Sequence, residues 1–135
     1  MAESRPSNHW EEKPWSLQKN RPFLVAVDFD DTIRFGDFRY KDTWTLNIVA
    51  ARKIAETLKA HPDAEFILWT CRANEGLEDA KWFIKEHKLP IYLFNEQHPY
   101  VLKTIPESKH WRKILADEYW DDKAVHIEKQ ATKAV

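Results

Sequence analysis

Short apolar runs and longer amphipathic stretches take turns along the chain. The run from Phe23 to Phe29, FLVAVDF, is rich in valine and phenylalanine and fenced by Pro22 and an acidic cluster. It is too short for a typical helix and predicts a strand buried on both faces. Residues 43–60 place Leu46, Ala50, Ile54 and Leu58 four apart, with Val49, Ala51 and Ala55 widening the stripe, before His61-Pro62. That spacing predicts an amphipathic helix, stopped by the proline. AEFILWT, residues 64–70, reads as a second buried strand with CRANEG as its exit loop. A second helical stripe runs over 77–88 through Leu77, Ala80, Phe83 and Ile84, Pro90 breaks it, and IYLFN supplies a third strand. Glu96 to Lys109 reads as a polar connection, and KILADEYWDD as a fourth strand that ends in paired aspartates.

Alternation of this kind predicts an α/β fold: a three-layer, Rossmann-like parallel sheet with helices on both faces, whose ligands bind at the carboxyl ends of the strands. Residues 1–22, with Pro6, Pro14 and Pro22 among polar residues, form an arm without periodicity. The domain then spans 23–123, and 124–135 is a tail. With 135 residues, 43% of them hydrophobic, there is enough material for one core and not for two. Lysine and arginine number 21 against 22 acidic residues, so the net charge of −1 provides no general attraction to nucleic acid or an anionic membrane. Cys71 is the single cysteine, which excludes an internal disulfide framework. No apolar run approaches the roughly 18 residues of a membrane span, and the N-terminus has no signal-peptide pattern. A soluble, cytoplasmic protein is expected.

The chemistry is carried by aspartates. Asp28, Asp30 and Asp31 follow the first strand, and Asp121 and Asp122 follow the fourth. Strand geometry turns Asp28 and Asp30 to one side and Asp31 elsewhere. Carboxylates converging at one sheet edge repel each other unless one keeps a proton or a divalent cation neutralises them. Oxygen donors alone suit a hard ion such as Mg²⁺. Other chemistries fail on the residues. A cysteine phosphatase needs an arginine where Leu77 stands, the six histidines form no metal-ligating pair, and Gly36 and Gly76 are too few for a phosphate-binding glycine loop.

VAVDFDDT resembles the first motif of the haloacid dehalogenase (HAD) superfamily of phosphohydrolases, an apolar strand followed by Asp-x-Asp-x-Thr. Thr70 in FILWTCR resembles its second motif, and YWDD its acidic fourth motif. The order agrees over about residues 23–123. Asp31 stands where the family often has glycine. The resemblance implies a Mg²⁺-dependent phosphatase in which Asp28 is the nucleophile that becomes an aspartyl-phosphate and Asp30 is the general acid and then base. It places Mg²⁺ on Asp28, on Asp30 through its backbone carbonyl, and on Asp121 and Asp122, with the inner and outer roles of the last two open. Thr32 braces the turn. Thr70 and the Cys71 amide hold a phosphoryl oxygen, and a lysine from among Lys103, Lys109 and Lys113, with Lys113 favoured, offsets charge. Arg72 is expected to fork onto the substrate.

The family's cap insertions have no room here. The stretch from Thr32 to Thr43 fits a hairpin flap and not a domain, so a capless site is implied, either open to a large phosphorylated substrate, a protein or nucleic-acid terminus included, or covered by a cap lent by a second subunit. Trp10 and Trp15 in the arm offer a surface for docking on the parent domain or on a second copy. Trp44, Trp69, Trp82, Trp111 and Trp120 fall within or beside predicted elements, several of them in the core. Two competing classes are a non-catalytic binding or regulatory module on the same fold, and a receiver-type phosphoacceptor, which Asn95 at the end of the third strand disfavours.

Overall fold

The computed structural model describes residues 20–122; Trp10, Trp15, most of the arm and the C-terminal tail lie outside the described residues. Four strands form one parallel sheet: β1 (Phe23–Val27), β4 (Ala64–Leu68), β5 (Ile91–Phe94) and β6 (Glu118–Trp120), in the order β5-β4-β1-β6. β1 is central and pairs with β4 from Phe23–Ala64 to Val27–Leu68, and with β6 from Val25–Glu118 to Val27–Trp120. A separate two-stranded antiparallel hairpin, β2 (Arg34–Phe35) and β3 (Thr45–Leu46), forms the flap.

Side-chain alternation along β1 builds two packed layers. Val25 and Val27 face Ile54 of α1 (Ile48–Ala60) and Ala80, Phe83 and Ile84 of α2 (Asn74–Glu86), a cluster that also takes in Phe29, Trp44 and Trp120. Ala26 faces the other way, onto Ile67 and Ile114, with Trp69 and Leu93 beside them. Of the tryptophans inside predicted elements, Trp44 and Trp120 are buried, while Trp82 and Trp111 are exposed. No helix among the described residues is long and apolar enough to cross a membrane.

Several boundaries differ from the periodic pattern, each for a local reason. α1 begins at Ile48 and not at Thr43, because Asn47 caps it by accepting the Val49 N–H at 3.0 Å, and the preceding residues are taken by a 3₁₀ turn (Lys41–Thr43) and the flap. The connection after β5 is not extended throughout. Pro99 opens a short helix, α3 (Pro99–Thr104), capped by the His98 side chain, and a 3₁₀ turn (Pro106–His110) follows. His98 is itself buried, its Nε2 2.7 Å from Glu65. β6 has three residues, where the pattern suggested a strand from Lys113 onward. Asp117 immediately precedes it: one of its oxygens accepts the Leu24 N–H at 2.8 Å, and both accept from Arg21 at 2.7 Å.

Candidate functional site

Three strands deliver the site from their carboxyl ends. The Asp28 N–H donates to the Trp120 carbonyl at 2.9 Å and the Trp69 N–H to the Val27 carbonyl at 2.8 Å, so the chain beyond β1 lies between Thr70 on one side and Asp121 on the other. Asp28 shares the parity of Ala26 and points to the second layer. There it lines a cleft of about 440 Å³ with Thr70, Cys71, Lys113, Tyr119 and Asp121. Five of the residues singled out by sequence thus face one space. Lys103 on α3 and Lys109 in the 3₁₀ turn are not among its lining, whereas the Lys113 ammonium sits 4.1 Å from the Tyr119 ring centre at the cleft wall.

Asp28, Asp121 and Asp122 each bring a carboxylate oxygen within 4.8 Å of the others. The Phe29 N–H fixes one Asp28 oxygen at 2.8 Å. Burial pushes the Asp28 carboxyl up, and the charges of Asp121, Asp30 and Asp122 add to this against the Phe29 hydrogen bond, leaving it at about 6. Such crowding of hard oxygen donors fits Mg²⁺. Thr32 holds the two halves of the acidic group in register: its hydroxyl accepts the Asp122 N–H at 3.1 Å, and its carbonyl accepts from the Asn47 side chain at 2.8 Å. Asp121 and Asp122 also border a second cleft of about 330 Å³ with Asp31, Thr32, Asn47 and Lys53.

Asp30 and Arg72 meet each other rather than the acidic trio. Arg72 forks onto Asp30, Nε to Oδ2 and Nη2 to Oδ1 both at 2.9 Å, and Arg34 donates to the same carboxylate. Burial raises the Asp30 carboxyl, but the hydrogen bonds and charges of Arg72 and Arg34 outweigh it and hold the group below the usual carboxylate range. Arg72 also donates to the carbonyls of Gly76 and Phe38, and its guanidinium lies 5.0 Å from the Trp44 ring centre. It fastens the flap to the body of the domain. The fork expected for a substrate is occupied here by a carboxylate of the chain itself. The flap carries Phe38 and Tyr40 in the open, 64% and 55% exposed, with Arg39 stacked on both.

Thr70 is arranged as a donor. Its hydroxyl oxygen accepts the Arg72 N–H at 3.2 Å, which leaves the hydroxyl hydrogen for the cleft, while its backbone N–H is taken by the Asn95 side chain at 2.7 Å. Asn95, Gln97 and Arg34 are the residues that sequence reasoning missed. Arginine on a flap and amides in a loop are ordinary there, and the one local signal was Asn95 ending an apolar run.

No protein-family model and no curated protein matches the chain. A solved structure of a conserved protein from Bacteroides thetaiotaomicron is similar, with 27% identity over 84% of this chain and 87% of that chain, and a TM-score of 0.55. The likeness supports the fold and assigns no chemistry.

Proposed function

We propose that this chain is a Mg²⁺-dependent phosphatase acting on phosphomonoesters through a covalent intermediate on Asp28. The observation that carries the reading is the single cleft in which a crowded carboxylate, Asp28, faces the Thr70 and Cys71 loop and Lys113. A carboxylate attacks a dianionic phosphoryl group only where positive charge and donors offset the repulsion. Asp28, Asp121 and Asp122 would hold Mg²⁺, which supplies that neutralisation.

In the first step an Asp28 oxygen bonds to phosphorus, and the bond from phosphorus to the substrate's leaving oxygen breaks, the electron pair departing with that oxygen. Thr70 and the Cys71 N–H hold the non-bridging oxygens and Lys113 offsets their charge. In the second step water attacks phosphorus, passes its proton to Asp30, and the Asp28–phosphorus bond breaks to release inorganic phosphate. Asp30 lies outside the cleft lining and is held ionised by two arginines, which lowers its basicity, so accepting that proton and donating one both require loosening the arginines' hold. Among the described residues no part of the hairpin lines the cleft, and a substrate can keep its bulk outside it.

The test is hydrolysis of an aryl phosphate with Mg²⁺ and with EDTA. Turnover that requires Mg²⁺ and is lost in Asp28→Asn supports the reading. Absence of turnover across aryl, acyl and alkyl phosphates would favour a binding module on the same fold.

A further inference from the structure

Two side-chain amides on the segment leaving β5 tie down both walls of the cleft. Asn95 sits at φ 54°, a left-handed conformation that asparagine tolerates because its amide bonds locally. Its Oδ1 accepts the Thr70 N–H at 2.7 Å and its Nδ2 donates to the Arg72 carbonyl at 3.3 Å, so Cys71 is bracketed by two fastened neighbours. Gln97 is buried. Its Oε1 accepts the Leu115 N–H at 2.8 Å, and its Nε2 donates to the carbonyls of Ser108 at 3.3 Å and Lys113 at 3.4 Å.

These bonds lie beyond the sheet. β4 ends at Leu68 and β5 at Phe94, so the ladder is complete without either amide. What the amides hold is the loop that presents Thr70 and Cys71, and the irregular segment that presents Lys113. Donors fixed before a charged group arrives lose no free energy to reorganisation, which is what anion binding in a cleft requires.

We propose that Asn95 and Gln97 are positioning residues for the phosphoryl group, Asn95 setting the Thr70–Cys71 wall and Gln97 setting the Lys113 wall. This rests on the reading of the cleft as a phosphoryl site. Neither residue touches substrate. Each acts through the backbone of one that does.

Cys71, the single thiol, reports directly on its loop. The full chain would be alkylated with iodoacetamide, with and without Mg²⁺ plus inorganic phosphate, below the melting temperature of every variant. Cys71 is exposed, so the readout is its protection by phosphate: Asn95→Leu should weaken that protection about tenfold, the scale of one lost hydrogen bond. Asn95→Asp, which keeps the oxygen that accepts the Thr70 N–H, should recover most of the wild-type protection. Gln97→Met should weaken phosphate protection about tenfold when Lys113 is present and little in a Lys113→Met background, because the two act as one unit. A merely structural loss would be equal in both backgrounds, and that result overturns the role of Gln97. Unchanged phosphate protection in Asn95→Leu, against a wild type that phosphate protects, overturns the role of Asn95. A wild type whose Cys71 ignores phosphate contradicts the phosphoryl reading, and the proposal with it.

Discussion

Arg72 grips Asp30 through two parallel hydrogen bonds of 2.9 Å, and the same guanidinium reaches the Phe38 carbonyl on the flap. The residue expected to shuttle protons therefore also helps to anchor the hairpin, beside which it lines a separate hollow. If Asp30 serves the second step, Asp30→Asn slows release of phosphate from Asp28 for every substrate alike. Aryl phosphates, whose leaving group departs without a proton, should lose activity by about 10²–10⁴, the usual worth of general base catalysis, and alkyl phosphates by no more than that. A burst of phenolate should precede the slow phase. Selective loss on alkyl phosphates would instead make Asp30 the donor to the leaving group.

The anchoring role has its own signature in stability. Arg72→Gln leaves a part-buried Asp30 with Arg34 as its remaining guanidinium partner, and should cost about 1–3 kcal/mol. Arg72→Lys should rescue little, because an ammonium cannot supply the fork. Urea titration of the three proteins checks this; full rescue by lysine would show that charge alone is what matters.

Asp28 makes the metal-free protein sensitive to pH in a direction opposite to most carboxylates. Its folded-state value of about 6 lies above its unfolded one, so the folded state binds the extra proton between about pH 4 and 6. The stability this lends is fully present below the unfolded value and is lost as pH rises through 6. Asp28→Asn removes the titration. The melting temperature of the variant minus that of the wild type, in EDTA, should grow from pH 4 to pH 7, and Mg²⁺ should narrow the gap above pH 6. A difference that is flat with pH would place Asp28 in a less crowded setting than the structure shows.

Backbone conformation explains two residues of the turn and flap. Asp31 has φ 62°, with its N–H donated to the Arg34 carbonyl at 2.8 Å. Aspartate is tolerated there and a β-branched residue is not, so Asp31→Gly should be neutral or stabilising and Asp31→Val should cost about 1–3 kcal/mol. Gly36 has φ 113°, and a Cβ there would run into the Thr43 carbonyl oxygen. Gly36→Ala should therefore lower the melting temperature of the domain. An unchanged value would mean that the flap shifts freely relative to Thr43.

How much of this was legible follows from the range of each interaction. The strand β1 and the acidic pair after β6 announce themselves because burial and charge are written into adjacent residues. α1 and α2 do so because Ile54, Ala80, Phe83 and Ile84 recur at helical spacing on buried faces. The convergence of Asp28 with Asp121 and Asp122 followed from topology, since parallel strands bring their carboxyl ends to one edge. The Arg72–Asp30 fork and the Asn95 and Gln97 braces did not, because they join positions from 11 to 42 residues apart through side chains whose types are common in loops. β6 was overextended because Asp117 reads as part of a run, whereas in the fold it is spent on Arg21 and the Leu24 N–H. α3 was hidden because six residues opened by Pro99 are too few to show a period.

The proposed reaction stands or falls on phosphoryl transfer through Asp28. The most direct measurement is mass spectrometry of peptides from protein quenched in acid during turnover of an aryl phosphate with Mg²⁺, using Asp30→Asn to slow the second step. One phosphoryl group is expected on the peptide that contains Asp28, discharged by hydroxylamine, and none in protein that also carries Asp28→Asn. Turnover without a phosphorylated peptide, or phosphorylation that survives Asp28→Asn, would contradict it.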